Sequence, residues 1–231
     1  MKIKRSRLLK YIVVLPLLGI VAFGVYVFEA HRLAVEGNNI FAYRCNNVNP
    51  PLIAYKNSFL KFANCINNPN QCSTDEGVNF FGDYETGLQA YVPEETKWLN
   101  MEQSYMNQWD FKLFAPSYFK QAGEYEFKMY EGYRDDAKYI LALSDQSQDP
   151  AILNTKQQDA RNQRNKYAQL YFDLFNKTVG TKIWIKPFWR VDAPTSCNEQ
   201  NMTIPDTGGS INWEGKPSPS PIPYWPSELS G

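Results

Sequence analysis

A chain of 231 residues has room for one well-buried domain and an appendage, and two full domains would be cramped. Lysine plus arginine and aspartate plus glutamate are equal at 24 each, but five of the cations stand in the first ten residues and no acid precedes Glu29, so 19 cations face 24 anions from there on. That acidic excess argues against a nucleic-acid partner, and a lone histidine, His31, argues against a histidine-dependent triad.

Residues 1–10, "MKIKRSRLLK", read as a basic cytoplasmic tail, and residues 11–28, "YIVVLPLLGIVAFGVYVF", as a charge-free transmembrane anchor. At a rise of about 1.5 Å per residue the run covers about 27 Å, close to the hydrocarbon thickness of a bilayer, which is therefore the first expected partner. Pro16, Gly19 and Gly24 weaken a helix in water and are tolerated in lipid. A cleaved signal peptide has the same general pattern, but its apolar region is usually shorter, and the exit "YVFEAHRLA" lacks a small-x-small cleavage site. Basic residues stay on the cytoplasmic side, so the body is expected outside the cytoplasm, at the cell membrane.

Residues 29–191 read as a helical extracytoplasmic domain. Glu29–Glu36 extends the first helix until "EGNN" stops it. Asn49 and Pro50 then open a helix with Leu52, Tyr55, Phe59, Phe62 or Ala63, and Ile66 at helical spacing, ended by Asn67-Asn68-Pro69. Gln71 to Val92, with Gly77, Gly82 and Gly87, reads as a long irregular loop. Pro93, Glu94 and Glu95 start the next helix, striped by Trp98, Met101, Tyr105, Trp109 and Leu113. After Pro116 a helix of about thirty residues carries Tyr118, Ala122, Tyr125, Met129, Tyr133, Ala137 and Ile140 on one face, with bends at Gly123 and Gly132. Asp149 caps the last helix, which runs from Ala151 to Val179. Its second half is striped by Tyr167, Leu170, Tyr171, Leu174 and Phe175, whereas Lys156 and Gln163 fall on core positions of the first half, which therefore faces water or a polar partner. Short connections make neighbours antiparallel. The expected fold is mainly α, with an N-terminal transmembrane helix, an extracytoplasmic antiparallel helical bundle, one short edge strand, and an irregular Pro/Ser/Gly-rich tail over residues 192–231.

All four cysteines follow the span, where disulfides persist. Cys65 and Cys72 flank the turn-rich "INNPNQ", which favours Cys65–Cys72 and leaves Cys45–Cys197 as the second pair. Zinc is disfavoured by spacing and by the single histidine, and "DQSQDP" fails as a calcium loop at its sixth and twelfth positions. No cofactor and no metal is expected.

The candidate binding surface is "TKIWIKPFWRV". As a strand it sets Lys182, Trp184, Lys186, Phe188 and Arg190 on one face and Ile183, Ile185, Trp189 and Val191 on the other, with Pro187 restricting it to an edge. The first face suits sugar rings, lipid headgroups or an acidic partner, or is simply covered by the tail. Phe111, Phe127 and Tyr139 lie off their helical stripes and are further candidates for an exposed contact. The adjacent acids Asp75-Glu76, Glu94-Glu95 and Asp135-Asp136 read as solvated faces or helix starts. No catalytic residue is singled out. The expected function is a non-catalytic binding or scaffold component of the cell envelope or surface, whose partner is another membrane or envelope protein. A glycan or cell-wall binding domain and a carboxylate-dependent hydrolase are the alternatives, and the stripes can close within one chain or across a homo-oligomer.

Overall fold

The computed structural model describes residues 5–67, 72–144 and 149–178, and these are helical almost throughout, with no strand among them. The elements are α1 (Arg5–Tyr43), a π-helical turn (Arg44–Val48), α2 (Asn49–Asn67), α3 (Thr74–Asn107), α4 (Trp109–Phe114), α5 (Ser117–Ser144) and α6 (Pro150–Thr178). The expected edge strand, Thr181–Val191, and the tail from residue 192 lie outside the described residues.

α1 has two halves. Val14–Val25 is exposed all round, whereas Ala30, Leu33, Ala34 and Ile40 are buried in the body. Among the described residues, α1 opens the one helical run long and apolar enough to cross a membrane. "EGNN" does not stop it: Gly37 lies inside the helix against the ring of Tyr105, whose hydroxyl donates to the Leu33 carbonyl at 2.8 Å. Packing overrides the weak local propensity.

The π-helical turn has a local cause. Pro50 and Pro51 have no N–H and crowd the carbonyls four residues back, so the ladder cannot continue unchanged. The last free donor, the N–H of Asn49, reaches five residues back to the carbonyl of Arg44. Asn49 is therefore not a cap: it is helical, with φ −64° and ψ −40°, and buried.

From Thr74 onward the expected loop over Gln71–Val92 is instead the first half of α3. Ser73 accepts from the Glu76 N–H at 3.2 Å while the Glu76 carboxylate accepts from the Ser73 N–H at 2.9 Å, a reciprocal capping box. Pro93 sits inside this helix rather than at its start. The Cys65–Cys72 disulfide joins the end of α2 to the residue before the cap, with Cα atoms 5.1 Å apart. The stripe of α3 holds at Trp98 and Tyr105, but the chain becomes extended at Gln108 (ψ 141°), and Trp109 and Leu113 belong to the separate α4, where both are exposed.

α2 packs on α3, α3 on α5, and α5 on α6. Two glycines permit the closest crossings. A Cβ on Gly87 of α3 would lie 2.6 Å from the Tyr55 Cβ of α2, and one on Gly132 of α5 would lie 2.8 Å from the Ala160 carbonyl of α6. Gly132 is thus a contact point, not a bend. Phe111 and Phe127, expected as exposed off-stripe aromatics, are buried, and Tyr139 is half-buried. We expect Gly87→Ala to lower stability by about 1–3 kcal/mol through overpacking. Gly82→Ala, with open space around it in the same helix, should raise stability by about 0.5–1 kcal/mol. Chemical unfolding followed by helical circular dichroism reads both.

Candidate functional site

The most unusual chemistry in the body centres on the π-helical turn, a feature that often marks functional positions. It carries Arg44, which is 1% exposed although it is the most polar side chain available. A guanidinium in that position must be answered by opposite charge and by acceptors for its N–H groups. One nitrogen, Nη1, donates to both oxygens of the Glu95 carboxylate at 2.9 and 3.0 Å, and Glu95 is itself fully buried on α3. The plane lies over two rings, 4.3 Å from the Trp98 centroid and 3.5 Å from that of Tyr130 on α5. These two rings meet edge to face at 5.2 Å. A desolvated cation over an aromatic face contributes about 2 kcal/mol.

The sequence prepares this on α3 by a spacing of four and three: Tyr91, Glu95, Trp98, Glu102 and Tyr105 fall on one helical face, aromatic and acidic in alternation. Glu95, expected in a solvated helix start, is instead the buried member of its pair. Its neighbour Glu94 accepts from the Tyr43 hydroxyl, and the Lys97 ammonium lies 4.9 Å from the Tyr43 ring. Burial pushes the Glu95 carboxyl above its ordinary range, against the opposing pull of Arg44.

Two further acids belong to the cluster. Glu102 on α3 and Glu126 on α5 are partly buried and close enough to influence each other. Desolvation first, and like charge second, raise Glu102 well above the usual carboxylate range, and desolvation raises Glu126 to about 7. Tyr171 of α6 approaches both acids; burial, then the charge of Glu126, pushes its hydroxyl up. Both carboxyls are thus shifted the same way, upward, and by the same leading cause, burial. The open groove lined by Gln103, Met106, Asn107, Lys120 and Glu124 has neither Glu102 nor Glu126 in its wall.

The polar first half of α6 meets a partner within the chain. Asp136 of α5 accepts from Gln157 at 2.9 Å, Arg161 at 3.1 Å and Arg164 at 3.4 Å, and Gln163 donates to Glu131 at 3.0 Å and to the Lys128 carbonyl at 3.2 Å. The buried line of α6 is Leu153, Gln157, Ala160 and Ala168. Lys156 is exposed.

The candidate binding residues Lys182, Trp184, Lys186, Phe188 and Arg190 lie outside the described residues, and so does Cys197 of the expected Cys45–Cys197 pair; Cys45 is buried and is not a free thiol. Among the described residues no group of His, Cys, Asp or Glu is placed to hold a metal ion. Sequence reasoning did not single out Arg44, Glu102 or Glu126 and placed Glu95 in a solvated helix start; the alternating pattern on α3 was the available signal. No family model, curated protein or solved structure matches the chain.

Two outcomes are expected. Arg44→Met alone strands a buried carboxylate and should cost about 3–5 kcal/mol, while Arg44→Met with Glu95→Leu should recover most of that loss, since apolar replacement of a buried pair is close to neutral. A double-mutant unfolding cycle measures it. For Glu126 the folded pKa lies above the unfolded one, so the folded state holds the extra proton. Stability should therefore fall as the pH rises from about 4.5 through about 7. The melting temperature should drop over that window, and Glu126→Gln should flatten the drop.

Proposed function

We propose that this protein is a single-pass membrane-anchored component of the cell envelope or surface, with its N-terminus in the cytoplasm and an antiparallel helical bundle outside it. In this reading the domain binds or scaffolds another membrane or envelope protein rather than catalysing a reaction. The observation that carries it is α1 itself: one helix runs from an apolar, exposed stretch at Val14–Val25 to the buried residues Leu33 and Ile40. A charge-free helix bare on every side suits lipid, and its continuation into the core makes the body a rigid extension of the span. The basic residues at 2, 4, 5, 7 and 10 support the orientation.

A carboxylate-dependent hydrolase is the second reading, favoured by the neighbouring acids Glu102 and Glu126, both raised by burial. It requires that Glu126→Gln, the same variant that flattens the pH profile, abolish turnover of an envelope polymer while leaving the helical signal intact. In the scaffold reading that variant changes stability alone.

A photo-crosslinking residue at Trp184, with the full-length protein in its own membrane, should capture a second envelope protein that mass spectrometry identifies. Capture of polysaccharide would support a glycan-binding domain instead. Capture confined to the protein's own helices or tail would count against a binding role for this stretch.

A further inference from the structure

We infer that the elbow formed by α4 and the start of α5 is a second membrane contact, laid on the bilayer surface beside the point where α1 leaves it. The inference rests on α1 being the membrane span, and it adds a lipid-facing surface about eighty residues away in sequence.

Position comes first. α4 is tied down the side of α1 in antiparallel sense: Gln108 donates to Glu36, Asp110 pairs with Arg32, and the Phe114 ring lies 6.1 Å from that of Tyr26. The contacts descend from Glu36 to Tyr26, so the C-terminal end of α4 reaches the level at which the bare apolar run Val14–Val25 begins. Within α1 the Arg32 side chain is also held by Glu29 at 2.8 Å and Glu36 at 3.2 Å, which keeps it in place for Asp110.

Chemistry agrees with position. α4 buries Asp110 and Phe111 toward the body and turns Trp109, Lys112 and Leu113 outward. Trp109 is 70% exposed and Leu113 65% exposed, and Phe28 on the neighbouring turn of α1 is 67% exposed. Single exposed apolar residues are ordinary, but Trp109 and Leu113 belong to the helix that is tied to α1 at Glu36, Arg32 and Tyr26, next to its bare apolar run. The Trp109 ring leans toward Phe114, at 6.3 Å, and so toward the apolar end of α1. Tryptophan with a neighbouring cation is the composition found at the water–lipid boundary. From Trp109 to Leu113 the helix rises about 6 Å, which matches a headgroup layer of about 5–7 Å on each side of the hydrocarbon. A lipid surface is the occupant that both the continuity with α1 and this composition favour.

The test uses the full-length protein in vesicles of phosphatidylcholine and phosphatidylglycerol, with a photo-crosslinking residue placed in turn at Leu18, Trp109, Leu113 and Ile152. All four positions are exposed, so the fold should tolerate each change. Ile152 opens α6 at the far end of α5, whose 28 residues extend about 42 Å from the elbow. Lipid adducts are expected at Leu18, Trp109 and Leu113, several-fold above the level at Ile152. Lipid at Leu18 with only the protein's own residues 179–231, a second copy or nothing at Trp109 and Leu113 would overturn the elbow contact and leave the span intact. Absence of lipid at Leu18 as well would overturn both, and equal capture at Ile152 would show that the elbow has no preference.

Discussion

A guanidinium removed from water is the constraint around which the rest of the body is arranged. Arg44 is placed by the π-helical turn, and the turn is forced by two prolines that withhold their hydrogen bonds. Once there, the cation has to be met from several directions. α3 supplies a carboxylate in the plane, and Trp98 of α3 and Tyr130 of α5 supply ring faces. Three separate elements are thereby referred to one point, and their register is set by a polar contact that tolerates little sliding. Burying such a pair is weak evidence of net stability. Its stronger effect is on uniqueness, since a shift of α3 by one turn would leave both charges unanswered.

A second principle joins α5 to α6. Where α5 crosses the first half of α6 the helices approach through small residues, Gly132 against Ala160, with amide and guanidinium groups converging on Asp136 around that crossing. Close backbone approach and a shared acceptor replace the leucine layers of an ordinary helix pair. Aromatic rings knit the other side, where Tyr55, Phe59 and Tyr84 meet between α2 and α3 and the tilted rings of Tyr105 and Phe111 lie 4.7 Å apart.

Helix identity was legible where apolar spacing and caps were both strong, as in α2, α5 and α6, and the Cys65–Cys72 bridge followed from a turn-rich insert of six residues. Gln71–Val92 was misread because three glycines were taken as loop markers, although Ser73 and Glu76 spelled a helix start and Gly87 answers the close approach of Tyr55. Gly37 was misread for the same reason. The interior acids escaped because a carboxylate is ordinarily a surface group, and only the partner, Arg44, fifty-one residues away, makes Glu95 a core residue. Pairings of that kind are non-local and leave no periodic trace. The polar half of α6 left water and a polar partner as alternatives, and the second is the one realised, by Asp136 and Glu131 of α5; which neighbour it meets depends on the hand and height of a helix crossing that sequence spacing does not encode.

The unbroken course of α1 has a geometric consequence. Under the proposed membrane anchoring, a flexible linker would let the body swivel freely beside the lipid, whereas an unbroken 39-residue helix would work as a shaft. Each residue of an α-helix advances the azimuth by about 100°. On that reading, which side of the body would face a neighbour in the plane of the membrane is written into the number of residues between Phe28 and Arg44. Lengthening that segment by a single residue would lift the domain by only about 1.5 Å, yet turn it more than a quarter of a revolution.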